Sequence, residues 1–241
     1  MKKFKIAHLY FDLMNLYGEN GNIRFLKKKL EEQGIDVDVT FLSIGDDIDF
    51  EKYDFYYIGT GSDDNKYIVL NDIVKYKEKI QKAIDNNKYF LITGNAIELF
   101  GESIIKLNNE ISVTLDTFKY QVREEEFRIV GEQVYTCDLI DEKIIGFQNR
   151  HSVIINYKDE YLFDVVKGTG YTPDLEFEGI HKNNFYGTYL LGPILVRNPY
   201  FTKYIIENIC DDLDIKYKDN TKNDISFKAY HEYIKNFHEE Q

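Results

Sequence analysis

The sequence predicts an α/β fold: a central, mostly parallel sheet flanked by helices, with a more strand-rich C-terminal half. Three observations carry that expectation. Short apolar runs alternate with stretches of helical spacing as far as Glu110, which implies parallel strands joined by right-handed crossovers. Beyond Glu110 the texture changes to short strands and turns. The chain has 241 residues, 43% of them apolar, which is enough for a sizeable core. It has only three prolines and no Ser- or Gly-rich linker, which favours one domain.

Residues 5–10 read as the first strand, followed by a loop bearing Asn15, Gly18, Asn20 and Gly21. Residues 23–33 carry Ile23, Leu26 and Leu30 among lysines, an amphipathic helix closed by Gly34. Residues 37–42 and 54–58 are the next strands, the second broken by Gly59-Thr60-Gly61-Ser62. Residues 73–84 have helical spacing, and 89–93 form a short apolar strand. The second half is read as strands at 111–115, 127–134, 144–147, 153–157 and 161–165, then a closing helix over 199–213. The main domain is placed at 1–219, with 220–241 as a charged C-terminal segment expected to be helical. Ligands of open α/β sheets sit beyond the carboxyl ends of the strands, so the loops after Ile58 and Thr93 are where a site belongs.

Composition excludes several classes. A net charge of −12 offers no basic stripe for nucleic acid. Two cysteines, Cys137 and Cys210, are too few for a disulfide framework, and without a CxxC pair they form no metal knuckle. Cys210 fits the apolar face of the closing helix. No window approaches 18 uninterrupted apolar residues, so no membrane span is expected and a cytoplasmic protein is the default. The acidic groups Asp46-Asp47, Asp63-Asp64 and Glu124-Glu125-Glu126 lack the spacing of a calcium loop and read as solvated loops. No cofactor is expected.

Four segments taken in order carry a resemblance: Asp12-Leu13-Met14-Asn15-Leu16-Tyr17-Gly18 with Gly21-Asn22; Ile58-Gly59-Thr60-Gly61-Ser62-Asp63; Gly146-Phe147-Gln148-Asn149; and Lys182-Asn183 followed by Gly187-Thr188-Tyr189-Leu190 and Gly192-Pro193-Ile194-Leu195. Over nearly the whole chain this resembles the cobyric-acid-synthase-like class of glutamine amidotransferases. The nearest branch is the glutaminase subunit of lipid II isoglutaminyl synthases. The resemblance implies a class I amidotransferase-like (flavodoxin-like) fold. It also implies a Mur-ligase-like partner subunit and glutamine as the ligand.

Such chemistry needs a thiolate on a tight strand-to-helix turn, a histidine to activate it, and backbone N–H groups for the oxyanion. In the turn Leu91-Ile92-Thr93-Gly94-Asn95-Ala96, the resemblance places the family's cysteine on Gly94. In the Gly-Pro segment it places the histidine on Leu191. Glycine keeps a sharp turn but supplies no nucleophile, and leucine takes no proton. Gly59-Thr60-Gly61 follows a strand and is a candidate anion nest, with Thr60 replacing the family's middle glycine; the alternative is an ordinary tight turn. It is not a phosphate loop, for there is no GK[ST]. Asn95 and Arg123 complete the expected ligand contacts. For Arg123, a surface charge beside the glutamates is the competing reading. Arg150 stands in a slot where the family carries a histidine, while His151 and His181 read as surface or structural histidines. The sequence thus points to an amidotransferase-like subunit that has lost its catalytic pair and acts as a scaffold or regulator. The alternatives are a glutamine-sensing binding protein, an enzyme using Thr93, Asn95 or Glu98, and an active glutaminase built from non-obvious residues.

Overall fold

The computed structural model describes residues 3–238. In chain order the elements are β1 (Lys3–Leu9), α1 (Asn20–Glu32), β2 (Asp36–Leu42), β3 (Phe55–Ile58), α2 (Asp63–Ile73), α3 (Lys77–Asp85) and β4 (Tyr89–Thr93). Then follow β5 (Ser103–Ile105), β6 (Ile111–Val113), β7 (Gln121–Cys137), β8 (Ile140–Ile155), β9 (Tyr161–Lys167), β10 (Phe177–Lys182) and β11 (Phe185–Thr188). Helices α4 (Ile194–Arg197), α5 (Pro199–Asp212) and α6 (Ile225–His238) close the described chain.

Among the described residues the eleven strands join one sheet, in the order β2-β1-β3-β4-β11-β10-β9-β7-β5-β6, with β8 paired to β7. The five strands from β2 to β11 run parallel. From β11 through β10 and β9 to β7 the pairing is antiparallel. Helices cover both faces of the parallel half, as buried parallel strands require. On one face α1 and α5 bury Ile23, Leu26, Leu30, Phe201, Ile205 and Ile209. On the other α2 and α3 bury Val69, Leu70, Ile73, Ile80 and Ile84. The many aromatics pack across strands: Tyr56 stacks on Phe90 at 4.7 Å between ring centres, and Phe90 on Phe185 at 5.8 Å.

The sequence reading departs from the structure in several places, among them the unexpected strands β5 and β10, and three departures bear on the site. The strands expected at 127–134, 144–147 and 153–157 are parts of one long hairpin, the 17-residue β7 and 16-residue β8. Helix α2 was not expected at all. Asp63 and Asp64, read as a solvated loop, form its first turn, where acidic residues favour the helix dipole. Ser62 caps it by accepting from the Asn65 N–H at 3.2 Å. Glu124, the third departure, lies in β7 rather than a loop and accepts from the Tyr67 hydroxyl at 2.6 Å.

Helix α6 docks on the hairpin and α5. Tyr230 and Ile234 pack with Val134 and Ile145, and the Tyr230 hydroxyl donates to the Lys143 carbonyl at 2.7 Å. The last residues of the 220–241 segment, 239–241, lie outside the described residues. No helix among the described residues is long and apolar enough to cross a membrane.

Candidate active site

Strands β3 and β4 lie side by side and parallel, so the loops leaving their carboxyl ends meet at the place the sheet topology designates for a ligand. A cleft of about 210 Å³ opens there, lined among others by Tyr17, Gly61, Asp63, Arg128, His151 and Ser152. Thr60, Asn95 and Glu98 also line it.

After β4 the chain turns sharply into a 3-10 segment, Gly94–Phe100, and Gly94 takes φ +62°. That left-handed conformation favours glycine. Acyl-transfer enzymes present a nucleophile on a strained strand-to-helix turn, and the turn here has that general shape. A Cβ on Gly94 would lie 2.5 Å from the Thr60 hydroxyl and 2.6 Å from Leu191 Cδ2, with the Thr60 Cβ as near. Position 94 therefore faces Leu191 directly. Leu191 is 2% exposed and held by a two-way backbone bridge to Phe147.

The Gly59–Gly61 loop is pinned from behind. A Cβ at Gly59 would lie 2.6 Å from the Met14 carbonyl, and one at Gly61 would lie 2.8 Å from the Leu13 carbonyl. The glycines thus serve close backbone approach to the residue 13–14 turn. On the cleft side Asn95 clasps the loop. Its side-chain oxygen accepts from Thr60 Oγ1 at 2.9 Å and from the Gly61 N–H at 3.0 Å, and its Nδ2 donates to the Gly61 carbonyl at 2.9 Å. The Asn95 N–H donates to Thr60 Oγ1 at 3.3 Å.

The other candidates divide. Thr93 is fully buried on the α1 side, where its hydroxyl donates to the Glu19 carboxylate and lies 3.1 Å from the Tyr57 hydroxyl. Glu19, also fully buried, accepts from Tyr57 at 2.9 Å and from the Gly192 N–H at 3.1 Å, tying the residue after Leu191 to α1. Burial raises the Glu19 carboxyl above its ordinary range, with Thr93, Tyr57 and Gly192 pulling partly back. Glu98 is 1% exposed and ion-paired at 2.6 Å with the fully buried Lys66, while Ser152 donates to its other oxygen. Burial alone would lower the Lys66 ammonium, but Glu98, then Asp63 and Glu124, outweigh it and hold it above its usual value.

Arg123 stands apart from these groups. Its side chain is half exposed and paired with Glu125 at 2.6 Å, outside the cleft lining. Arg128 and the buried Arg150 are the arginines that line the cleft. The Arg128 side chain reaches across to β8. Its Nη2 donates to Asn149 Oδ1 at 2.9 Å, and Asn149 Nδ2 donates to the Tyr17 hydroxyl at 2.9 Å, a strap across the mouth. His151, read as surface or structural, lines the cleft with Nε2 3.3 Å from Asp63, close enough to pair but not aligned for a hydrogen bond. Arg150 is buried with its guanidinium over the Tyr189 ring at 4.2 Å, donating to the carbonyls of Ser152, Tyr171 and Gly170. Cys137 and Cys210 are both buried, and burial raises both thiols. His181 stacks on Tyr186 in β10, away from the cleft lining.

Sheet order, the left-handed turn after β4 and the cleft beyond it define the class: a glutamine amidotransferase-type α/β domain. Solved structures of that class share the fold. A glutamine amidotransferase from Thermotoga maritima superposes with a TM-score of 0.53 over 98% of this chain and 93% of its own, at 14% identity. A second glutamine amidotransferase gives 0.54 over 84% and 97%, also at 14% identity. Residues 5–199 match the CobB/CobQ-like glutamine amidotransferase domain, and the chain belongs to that family. Among curated relatives, the Lipid II isoglutaminyl synthase (glutamine-hydrolyzing) subunit GatD of Streptococcus pneumoniae (strain ATCC BAA-255 / R6) is 33% identical over 198 residues, 81% of this chain and 76% of that protein. The subunit of the same name from Staphylococcus aureus (strain N315) is 28% identical over 218 residues, 90% of this chain and 89% of its own length.

Proposed function

We propose that this chain is an amidotransferase-like subunit without glutaminase chemistry of its own, acting as a scaffold or regulator for a Mur-ligase-like partner that amidates a peptidoglycan precursor. The relatives' shared name, a subunit of lipid II isoglutaminyl synthase, supports the setting. The observation that carries the loss of chemistry is the geometry at Gly94. The space where a nucleophile's side chain would stand is faced by Leu191 and Thr60. Leucine accepts no proton, and a threonine hydroxyl held by an amide side chain has no base to activate it. Removing one member of a nucleophile–base unit already abolishes most of the rate, and here both roles stand empty. The partner then uses free ammonia or another source. The cytoplasm is the compartment that suits this role, with residues 1–219 as the working unit and 220–241 as an appended segment.

The cleft supports a second reading, a glutamine-sensing module. Arg128 on one wall and Asp63 on another suit the two charges of a free amino acid. Ammonia release from glutamine, measured for the chain alone and with a ligase-like subunit, tests the first reading. No turnover is expected in either case, and turnover that stops when a cysteine is alkylated overturns it. A rise in melting temperature with glutamine, without ammonia release, selects the sensor.

A further inference from the structure

We propose that Thr60 and Asn95 form an internal plug that fills the nucleophile and oxyanion space of this fold, and that Thr60 is the residue keeping the site closed. The inference rests on Gly94 being the nucleophile position. It adds which group must leave before that position can carry a side chain.

Two neighbours crowd the missing Cβ, and they differ in kind. Leu191 approaches through Cδ2, at 2.6 Å, the far end of a flexible side chain. A rotamer change moves it away. Thr60 approaches through its Cβ and its Oγ1 together. A Cβ has no rotamer; backbone alone sets its place. The backbone of Thr60 cannot retreat, because Gly59 and Gly61 are already in close approach to the Met14 and Leu13 carbonyls and the Thr60 carbonyl accepts from the Leu16 N–H at 3.0 Å. Positions 60 and 94 therefore hold one Cβ between them. This chain places it at 60.

The plug also closes the electrostatic half of the site. An oxyanion is stabilised by backbone N–H groups aimed into a vacant position. Two amides flank that position here, those of Gly61 and Asn95. The first donates to Asn95 Oδ1 at 3.0 Å and the second to Thr60 Oγ1 at 3.3 Å. Both donors are satisfied within the clasp, which leaves no preorganised donor pair for a tetrahedral intermediate. Installing a thiol and an imidazole alone would rebuild a pair inside a filled cavity.

The test is thiol labelling of variants, which needs neither glutamine nor a partner and so stands or falls separately from the glutaminase assay. Because Cys137 and Cys210 are buried, the native chain reacts slowly with 5,5′-dithiobis(2-nitrobenzoate) and supplies the blank. Gly94→Cys is expected to melt lower than the double variant Thr60→Gly/Gly94→Cys, or to label at least about tenfold more slowly. A single variant that fails to fold while the double variant folds supports the plug. Equal melting temperatures and equal labelling rates overturn it. Should neither thiol variant fold, amide hydrogen exchange on Thr60→Gly decides. Exchange at Asn95 and Gly61 about tenfold faster than in the native chain is expected, and unchanged exchange at both overturns the proposal.

Discussion

Around Gly94 the molecule packs the Thr60 hydroxyl, the Asn95 amide and the Leu191 side chain into a small neutral contact. One helix away, Lys66, Glu98 and Glu124 lie out of water as charged groups, Lys66 Nζ being 2.6 Å from Glu98 and 3.7 Å from Glu124. The two regions share a cleft yet are held by different forces. The centre depends on shape and a few neutral hydrogen bonds. The flank depends on ions that must stay paired, since an unpaired charge in the interior is far more expensive than an unmade van der Waals contact. The packing at the centre and the ion pairs of the flank are therefore expected to contribute to stability separately.

The largest expected effect tests that division. Lys66→Met leaves Glu98 and Glu124 without their cation and is expected to destabilise the chain by about 3–5 kcal/mol. Leu191→Met, at the centre, swaps side chains of similar volume and is expected to remain under about 1.5 kcal/mol. Urea denaturation of both variants checks the contrast. Equal losses would mean that the centre is as constrained as the flank.

A smaller effect comes from a second buried carboxyl, Glu178 on β10. It accepts from the Tyr189 N–H and the Thr188 hydroxyl, both at 2.7 Å, at the approach to Leu191. Burial pushes its carboxyl up to about 7, with Tyr189, Thr188 and Arg150 pulling it partly back. The folded value lies above the ordinary 4.5, so the native state holds the proton more tightly than the unfolded chain. Its contribution is then full below pH 4.5 and lost as pH rises from there through about 7. At about 1.4 kcal/mol per unit the swing is on the order of 3 kcal/mol. Melting curves of the native chain and Glu178→Gln between those limits should converge at the acid end and separate at neutral pH, with the variant more stable there. Parallel curves would remove Glu178 from the account.

The same buried polar groups explain what could be read from the sequence. The parallel half was legible because its strands are short apolar runs and α1 carries a clean apolar face. Helix α2 was hidden by Lys66. Its buried face is Lys66, Val69, Leu70 and Ile73, the spacing of an amphipathic helix with a charge standing where an apolar residue is expected. Its start was nonetheless signalled by Ser62 ahead of Asp63-Asp64, a cap followed by an acidic first turn. Strand β8 was broken in two for a like reason. Gln148, Arg150 and Ser152 alternate inward and are buried, so the period-two pattern is present but written in polar residues. Gly94 and Leu191 were singled out through a resemblance, and the structure brings them into contact. The role of Thr60 needed coordinates, because only they show that two residues far apart in sequence compete for one Cβ position.

The smallest expected effect concerns the arginine that sequence reasoning chose. Along β7, Val122 and Glu124 face inward while Arg123 points out to its neighbour Glu125, as strand alternation requires. The pairing of β7 with β8 then slips between Glu124 and Ile129, and the chain emerges from that bulge with Arg128 beside Asn149 on the cleft wall. Arg123 comes from the resemblance, and nothing in the sequence marks the slip that brings Arg128, and not Arg123, to the cleft lining. Arg123→Ala should accordingly change stability by no more than about 0.5 kcal/mol, the level of an ordinary surface substitution. Arg128→Ala removes one side of the strap from Tyr17 through Asn149, and should raise hydrogen exchange in the residue 15–18 loop while leaving global stability nearly unchanged. If Arg123→Ala loosened that loop as much as Arg128→Ala does, the bulge would not separate surface from cleft along β7.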